Sequence, residues 1–412
     1  MNIDRRSFVS QAAGTLAALS LIPEALPAPV RRVGAPLPIA LIGMGRQGRQ
    51  VILPELAKID AVKVVAVCDN DSSRLEAGVS RAPGAQGFAS HKELLDKAKD
   101  VKAVILATPT HLHKDIAIDC LAAGKHVYCE APMASTIDDC KAIAAAARGS
   151  KTVFACALEG RSDPVYMLSR SFFRNGTLRE LVSLRAQAQE KTSWRTPSPD
   201  PAREKARNWR LDKDVSIGLA GEWGTPQFDV FHWFRGEYPV SVSGTGSIRL
   251  WKDGREVPDT IACAFTFADG VRLEYDATLA SSFQGRNEIL QGSDATIKLA
   301  WTAGWMFKEA DSPTQGWEVY ANRTQIYNQE GITLIADATK LASQGKLKEG
   351  VGIPNPPAYY SLSDFFTSVL EGKPPVASAD EGMRASIVGI LANKAVVTGG
   401  TVAIDPALLK GA

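Results

Sequence analysis

The chain has 412 residues, 45% hydrophobic and 22% charged, with 47 Lys and Arg against 45 Asp and Glu, for a net charge of +2. That length is too great for one compact core, so two domains of ordinary size are expected, and the composition is that of a soluble globular protein. The near-neutral balance leaves no electrostatic footprint for nucleic acid, which makes a small molecule the expected ligand. Six cysteines (Cys68, Cys120, Cys129, Cys140, Cys156 and Cys263) are scattered with no CxxC pair and no metal-ligand spacing. Buried thiols are therefore expected, with no metal and no disulfide framework.

Residues 1–35 read as a leader and linker. Asp4-Arg5-Arg6-Ser7-Phe8-Val9 precedes a mildly apolar stretch through Ile22 and a Pro/Ala-rich segment ending near Ala28. This looks like a twin-arginine signal, which makes the twin-arginine export machinery an expected partner and the periplasm or another extracytoplasmic space the expected location. An ordinary amphipathic N-terminal helix is the alternative. Gly14, Thr15 and Ser20 interrupt the apolar stretch, which is also short for a membrane span.

From Pro38 onward, short β-branched runs alternate with helical segments. The strands are PIALI, VKVVAV, AVILA, HVYC and TVFACA; the helices start at Arg46, Ser73, His91 and Thr136, and another runs to Ala123. Apolar strands alternating with helices specify a parallel sheet buried on both faces, so residues 36–157 read as one α/β domain. Beyond Leu178 longer alternating runs appear: LVSLRAQAQ, VSVSGTGSIRLW, TIACAFTFADGVRLEYDATLA and ATIKLAW, with turn signals such as Ala268-Asp269-Gly270. Residues 158–412 are accordingly expected to be an α+β domain with a large open, mainly antiparallel sheet. Within it, Lys191 to Lys213 reads as a long loop rich in Pro, Arg and Trp, and residues 359–398 return to helical periodicity around Gly372-Lys373-Pro374-Pro375.

Gly43, Gly45 and Gly48 form GxGxxG directly after the first strand and at a helix start. There, free N–H groups and the helix dipole favour a pyrophosphate, so Gly43, Met44, Gly45, Arg46, Gln47 and Gly48 are expected to cradle a dinucleotide. The second strand ends at Asp69, whose carboxylate suits the ribose hydroxyls and repels a 2′-phosphate, which favours NAD. Arg74, with the basic residues Arg46 and Arg49, keeps NADP open.

With GMGRQG, CDND, ATPTHLHKDIAIDCLAAGKHVYCEAP and FFTSVLEGKPPVASADEGMRASIVGILANKAV in view, the chain resembles the Gfo/Idh/MocA oxidoreductases, which include glucose-fructose oxidoreductase and inositol dehydrogenase. The resemblance implies that the large sheet supports a homo-oligomer, that helices 359–398 pack back near the Rossmann domain, and that Thr108, Pro109 and His111 lie beside the nicotinamide-side ribose and pyrophosphate. For His113, helix capping and packing weigh equally with a place at the cofactor. Where the family has Glu-Lys-Pro this chain has Glu130-Ala131-Pro132, so Glu130 and Pro132 remain expected cofactor neighbours while the lysine is missing. Where the family has Asp-x-Gly-x-His-x-x-Asp, with histidine as general base, the chain reads Glu222-Trp223-Gly224-Thr225-Pro226-Gln227-Phe228-Asp229. Neither Ala131 nor Pro226 can accept a proton. Glu222 and Asp229 are then the leading acid–base and orienting candidates, with Gln227, His232 and Lys191 behind them.

Arg161, Trp194, Arg195, Trp209 and Arg210, with Glu190 and Lys191, supply the stacking faces and forked donors that suit a carbohydrate; packing between domains is the alternative. These observations point to an exported NAD(P)-dependent oxidoreductase acting on a sugar, cyclitol or glycoside, with a tightly held, internally recycled cofactor. A redox-assisted or carboxylate-based glycoside-cleaving enzyme, or a dinucleotide-holding binding protein, stays open beside it.

Overall fold

The computed structural model describes residues 34–198, 200–300, 302–315, 318, 321, 323–326, 329–335 and 352–410. The segment expected to be a leader, with Arg5 and Arg6, lies outside them. The described residues belong to two compact units. The larger takes in the described parts of Pro29–Ser162, Ala186–Arg286 and Pro357–Ala412, and the smaller those of Asp163–Arg185 and Asn287–Pro356.

In the larger unit six strands, β1 (Leu37–Ile42), β2 (Val62–Cys68), β3 (Gln86–Phe88), β4 (Ala103–Leu106), β5 (His126–Cys129) and β6 (Phe154–Cys156), form a parallel sheet in the order β3-β2-β1-β4-β5-β6. β4 is buried throughout and β1 everywhere but Pro38, which explains why both appear in the sequence as unbroken apolar runs. Ile42 sits opposite Cys68 on one side and Leu106 on the other, and Leu106 opposite Cys129. Four strands therefore end at one edge and gather there the loops that start at Gly43, Asp69, Ala107 and Glu130. This is the edge where doubly wound sheets place their ligands.

Helices on this sheet start where the sequence signals them. Asp71, Ser90 and Thr136 accept backbone N–H bonds as caps of Ser72–Arg81, His91–Lys97 and Ile137–Gly149. The helix expected from Arg46 differs: it opens as a wide π-type turn, Gln47–Ile52, and continues as Leu53–Leu56 with Pro54 in its first turn. Pro54 has no N–H to return to a carbonyl of the preceding turn, which accounts for the change of winding. The helix Pro357–Glu371 places Leu362, Phe365 and Phe366 in the same core as Ile39, Leu41 and Tyr128. Tyr128 Oη donates to Ser361 Oγ at 3.0 Å.

The larger unit also carries β8 (Ser241–Ser247), β9 (Thr260–Thr266), β10 (Arg272–Thr278) and β16 (Thr401–Ala403), antiparallel in the order β10-β9-β8-β16. The strand expected to run on to Trp251 stops at Ser247. The Asp259 carboxylate takes the N–H groups of Arg249, Leu250 and Trp251 at 2.8, 2.9 and 2.8 Å, removing them from any ladder. EWGTPQFD lies on the helices Gly218–Glu222 and Gly224–Arg235, with Pro226 tolerated in the first turn of the second. Ala379–Thr398 crosses both so closely that a Cβ added at Gly389 would lie 2.2 Å from Thr225 Oγ1 and 3.2 Å from Gly221 Cα. That contact fixes the backbone presenting Glu222 and Asp229.

In the smaller unit, β11 (Arg286–Gly292), β12 (Ala295–Ala300), β13 (Ala303–Lys308), β14 (Arg323–Ile326) and β15 (Gln329–Leu334) pair antiparallel, and with the start of β7 (Leu181–Gln189) run in the order β14-β15-β13-β12-β11-β7. Ala295, Ile297 and Leu299 alternate inward along β12, and the helix Pro164–Arg174 packs on β12, β13 and β15. A parallel Rossmann sheet accompanied by a second, mainly antiparallel sheet is the architecture that the two rhythms of the sequence specify.

Candidate active site

The glycine turn is shaped from within. Gly43 has φ of +99°, and a Cβ there would sit 2.4 Å from Ala107 O; a Cβ on Gly48 would sit 1.9 Å from Gly43 O. Both glycines are required by the turn's own packing. Gly45 is different, since a Cβ there meets no atom within 4 Å. The space in front of it is where the turn's N–H groups could receive a pyrophosphate. Met44 is fully buried, its N–H bonded to Asp69 Oδ2 at 2.8 Å, while Asp69 Oδ1 takes the N–H of Asp71 at 2.8 Å. Asp69 is thereby held at the end of β2. Gln47 Nε2 donates to Glu130 Oε1 at 3.2 Å, and exposed Arg46 lies 3.6 Å from Glu190. Arg74 is half-buried in the first turn after β2.

The loop after β4 supplies further groups. Among the described residues, Thr108 Oγ1 and His111 Nδ1 are buried without a hydrogen-bond partner. Such orphaned atoms in a loop beside the glycine turn, with the open space at Gly45, fit a dinucleotide. Burial holds the His111 imidazole below its ordinary pKa, with Asp212 opposing. His113 sits between Thr108 O at 2.9 Å and Pro132 O at 3.1 Å, joining the β4 and β5 loops, and burial lowers its pKa to about 4. Structural packing thus accounts for His113. Pro132 follows a cis peptide bond from Ala131.

Two carboxyl groups face this edge. Buried Glu222 accepts from Thr110 Oγ1 at 3.1 and 3.3 Å and lies 3.3 Å from Arg210 Nε. Burial raises its pKa, and Arg210 and Thr110 pull it back. Half-buried Glu130, at the end of β5, is pushed up to about 7 by burial, against the pull of Gln47 and Arg210. One guanidinium thus acts on both acids. Arg210 also lies over Trp209 at 4.5 Å and beside Trp194 at 5.7 Å. Trp209 meets His111 edge-on at 5.5 Å, Trp194 meets Trp223 edge-on at 5.2 Å, and Arg286 covers Trp223 at 4.9 Å.

Asp229 and Arg161 are placed differently from the sequence expectation. Arg161 Nε and Nη2 donate to the two Asp229 carboxylate oxygens at 2.8 Å each, and Nη2 also reaches Glu381 at 2.8 Å. Arg161 and Asp229 are both buried, so this forked pair binds the chain to itself, not a substrate. Burial would raise Glu381, but His232, Arg161 and Arg384 hold it at about 2. Gln227, fully buried, donates to Gln187 O at 3.1 Å. Lys191 is exposed, its N–H on Ser282 Oγ at 2.7 Å. Arg195 pairs with Glu204 at 2.6 Å and donates to Asp253 O at 2.9 Å. Thr110 escaped the sequence reading although it sits between Pro109 and His111, because a threonine in a loop gives no pattern until its partner is known.

A family model described as "Oxidoreductase family, NAD-binding Rossmann fold" matches residues 37–157, and one described as "GFO/IDH/MocA C-terminal domain" matches residues 170–298. Levoglucosan dehydrogenase of Pseudarthrobacter phenanthrenivorans is 26% identical over 281 residues, 62% of this chain and 70% of that protein. Inositol 2-dehydrogenase of Pseudarthrobacter chlorophenolicus is 31% identical over 224 residues, 54% of this chain and 60% of that protein. Among solved structures, a levoglucosan dehydrogenase in complex with NADH and L-sorbose superposes with a TM-score of 0.70 at 20% identity, covering 90% of this chain and 99% of that one.

Proposed function

Because the chain belongs to the Gfo/Idh/MocA oxidoreductase family and carries its NAD-binding Rossmann domain, we propose that it oxidises or reduces a secondary alcohol of a sugar, cyclitol or glycoside with Glu222 as the proton-handling group. The observation that carries this reading is the Glu222 carboxyl, buried and hydrogen-bonded to Thr110 of the cofactor loop. The names of the relatives, levoglucosan and inositol dehydrogenases, support the substrate class. When bound, the nicotinamide supplies the hydride acceptor or donor. The chain's own residues manage the rest: Glu222 takes the hydroxyl proton, Arg210 and Thr110 stabilise the carboxylate before it does so, and half-buried Trp194 offers a face for the C–H surface of a ring, whereas Trp209 is buried under Arg210. Glycoside cleavage draws no support from the matched relatives.

The finer parts of the proposal are that the cofactor stays bound and is recycled within each turnover, that the chain is exported, and that it forms a homo-oligomer. Export is supported by Arg5-Arg6-Ser7-Phe8 and by six cysteines that are all buried free thiols, safe from pairing once the chain has folded. Changing Arg5 and Arg6 to lysine should retain the protein in the cytoplasm on fractionation; unchanged export would remove that part. For the activity, levoglucosan, myo-inositol and glucose are offered to protein preloaded with NAD, and reduced nicotinamide is followed by its near-ultraviolet absorbance. Glu222→Gln should lower turnover by roughly two to four orders of magnitude, the usual worth of a general base. Full turnover in that variant across pH would place the base elsewhere.

A further inference from the structure

Residues of the Pro/Arg/Trp segment reach the nucleotide turn at a point that no part of the proton chemistry uses. Arg203 donates to Asn70 O at 2.8 Å and to Asn70 Oδ1 at 3.0 Å, and its Nε lies 3.4 Å from Asp71 Oδ2. Arg207 Nε lies 3.2 Å from the same oxygen, and its Nη2 donates to Ser73 Oγ at 3.4 Å. Asp71 is only 5% exposed. Its other oxygen caps the helix through Ser73 and Arg74, and its N–H is bonded to Asp69. Asp69 in turn holds Met44 of the glycine turn. Two ion pairs on Asp71, then hydrogen bonds through Asp71 and Asp69, therefore connect the two guanidiniums to the backbone of the glycine turn.

The same segment is tied down beyond these arginines. Asn208 takes Thr196 N–H at 2.7 Å and returns a bond to Thr196 O at 3.0 Å, closing the base of the loop. Trp209 and Arg210 follow at once, the first against His111 and the second on Glu222. Ten residues, Pro201–Arg210, thus touch the adenosine edge at one end and the carboxyl of the reaction site at the other. Arg74 lies within the electrostatic reach of Asp69, Asp71, Arg203 and Arg207, so three guanidiniums and two carboxylates gather at this point. Burial opposes the charge on Asp71, but Ser73, the N–H of Arg74, and Arg207 and Arg203 hold its pKa below the ordinary value, so the tie is present at neutral pH.

We infer that Arg203 and Arg207 are cofactor-positioning residues, strapping Pro201–Arg210 to Asn70, Asp71 and Ser73 across the adenosine edge so that the dinucleotide leaves only when the strap is released. The inference rests on the reading that NAD remains bound, and it names the residues responsible. Breaking the tie should act on the rate of departure, because related complexes differ mainly in how fast they dissociate. Arg207 is 12% exposed and Arg203 34%, so the first tie is shielded and the second is open to salt.

The test uses the full chain loaded with NAD and follows exchange of the bound cofactor against an excess of isotope-labelled NAD by mass spectrometry. Arg203→Ala/Arg207→Ala should exchange at least about tenfold faster than the wild type, and Arg203→Lys/Arg207→Lys should recover part of the difference. Added salt should accelerate exchange in the wild type and have little effect in the alanine pair. If the alanine pair melts markedly lower than the wild type, Arg203→Gln alone decides, since that side chain is the more exposed of the two: faster exchange supports the strap, and unchanged exchange overturns it. Equal exchange in wild type and alanine pair, both well folded and loaded, overturns the inference and leaves cofactor retention standing. A wild type that retains no NAD and binds none by calorimetry overturns retention itself.

Discussion

Gly45 separates what the glycine turn does for the fold from what it does for the ligand. A Cβ added at Gly43 or Gly48 would lie 2.4 or 1.9 Å from a backbone oxygen, so alanine at either position forces the backbone to move and should cost about 1–3 kcal/mol of stability or more. At Gly45 the added atom meets nothing within 4 Å and the residue is half-buried, so Gly45→Val should change folding stability by no more than about 0.5 kcal/mol. Its side chain would instead fill the space expected for the pyrophosphate. Losing one charge-assisted hydrogen bond to that group removes about 1.5–3 kcal/mol, or roughly a 10- to 150-fold weakening of NAD binding. Calorimetric titration of NAD into stripped protein, with a thermal melt of the same samples, reads both quantities. An affinity within about threefold of the wild type would show that the turn does not approach the pyrophosphate, and the placement of the cofactor would have to be abandoned.

Asp229→Asn removes the forked partner of buried Arg161 and leaves it with Glu381, so it should cost about 3–5 kcal/mol in a denaturant melt while leaving KM of the folded fraction unchanged; a raised KM without lost stability would return Asp229 to substrate binding. Glu130, with its pKa raised to about 7, binds a proton more tightly folded than unfolded. Its contribution is therefore most favourable below the unfolded pKa of about 4.5 and is lost as pH rises toward 7. Glu130→Gln should flatten that decline between pH 5 and 8, by at most about 3 kcal/mol and less to the extent that water reaches the side chain. Parallel stability–pH curves for the two proteins would show that Glu130 is not desolvated.

Periodicity carried the fold because each strand's burial is written in its own residues: β4 is apolar at every position, and β12 alternates. Where the sequence misled, a long-range partner had intervened. The run to Trp251 has the alternation of a strand, yet Asp259, eight to ten residues on, captures three of its N–H groups. The site was legible to a similar depth. Gly43, Gly48 and Asp69 act through neighbours close in sequence or in adjacent strands, and a fixed spacing announces them. Arg161 and Asp229 are 68 residues apart, and nothing in their local patterns says that each is the other's partner. A forked arginine and an acid look alike in sequence whether they await a sugar or each other.

The departures at Ala131 and Pro226 remove a lysine and a histidine that the family resemblance leads one to expect, and they change the electrostatics of the carboxyls nearby. A lysine next to Glu130 would keep it ionised; without one, burial lifts Glu130 to about 7 and Arg210 becomes the cation acting on it. Arg210 also pairs with Glu222, which has the longer reach of a glutamate where the family carries aspartate. A guanidinium stays charged at every relevant pH and cannot pass a proton on, so it sets the energies of both acids without replacing either. On the proposed reading, proton transfer would depend on carboxyls raised by burial and restrained by one arginine, instead of on an imidazole poised near neutrality. Arg210→Ala, by removing the restraint from both, should move the pH at which turnover begins upward, whereas loss of a merely structural arginine would lower stability and leave that pH where it was.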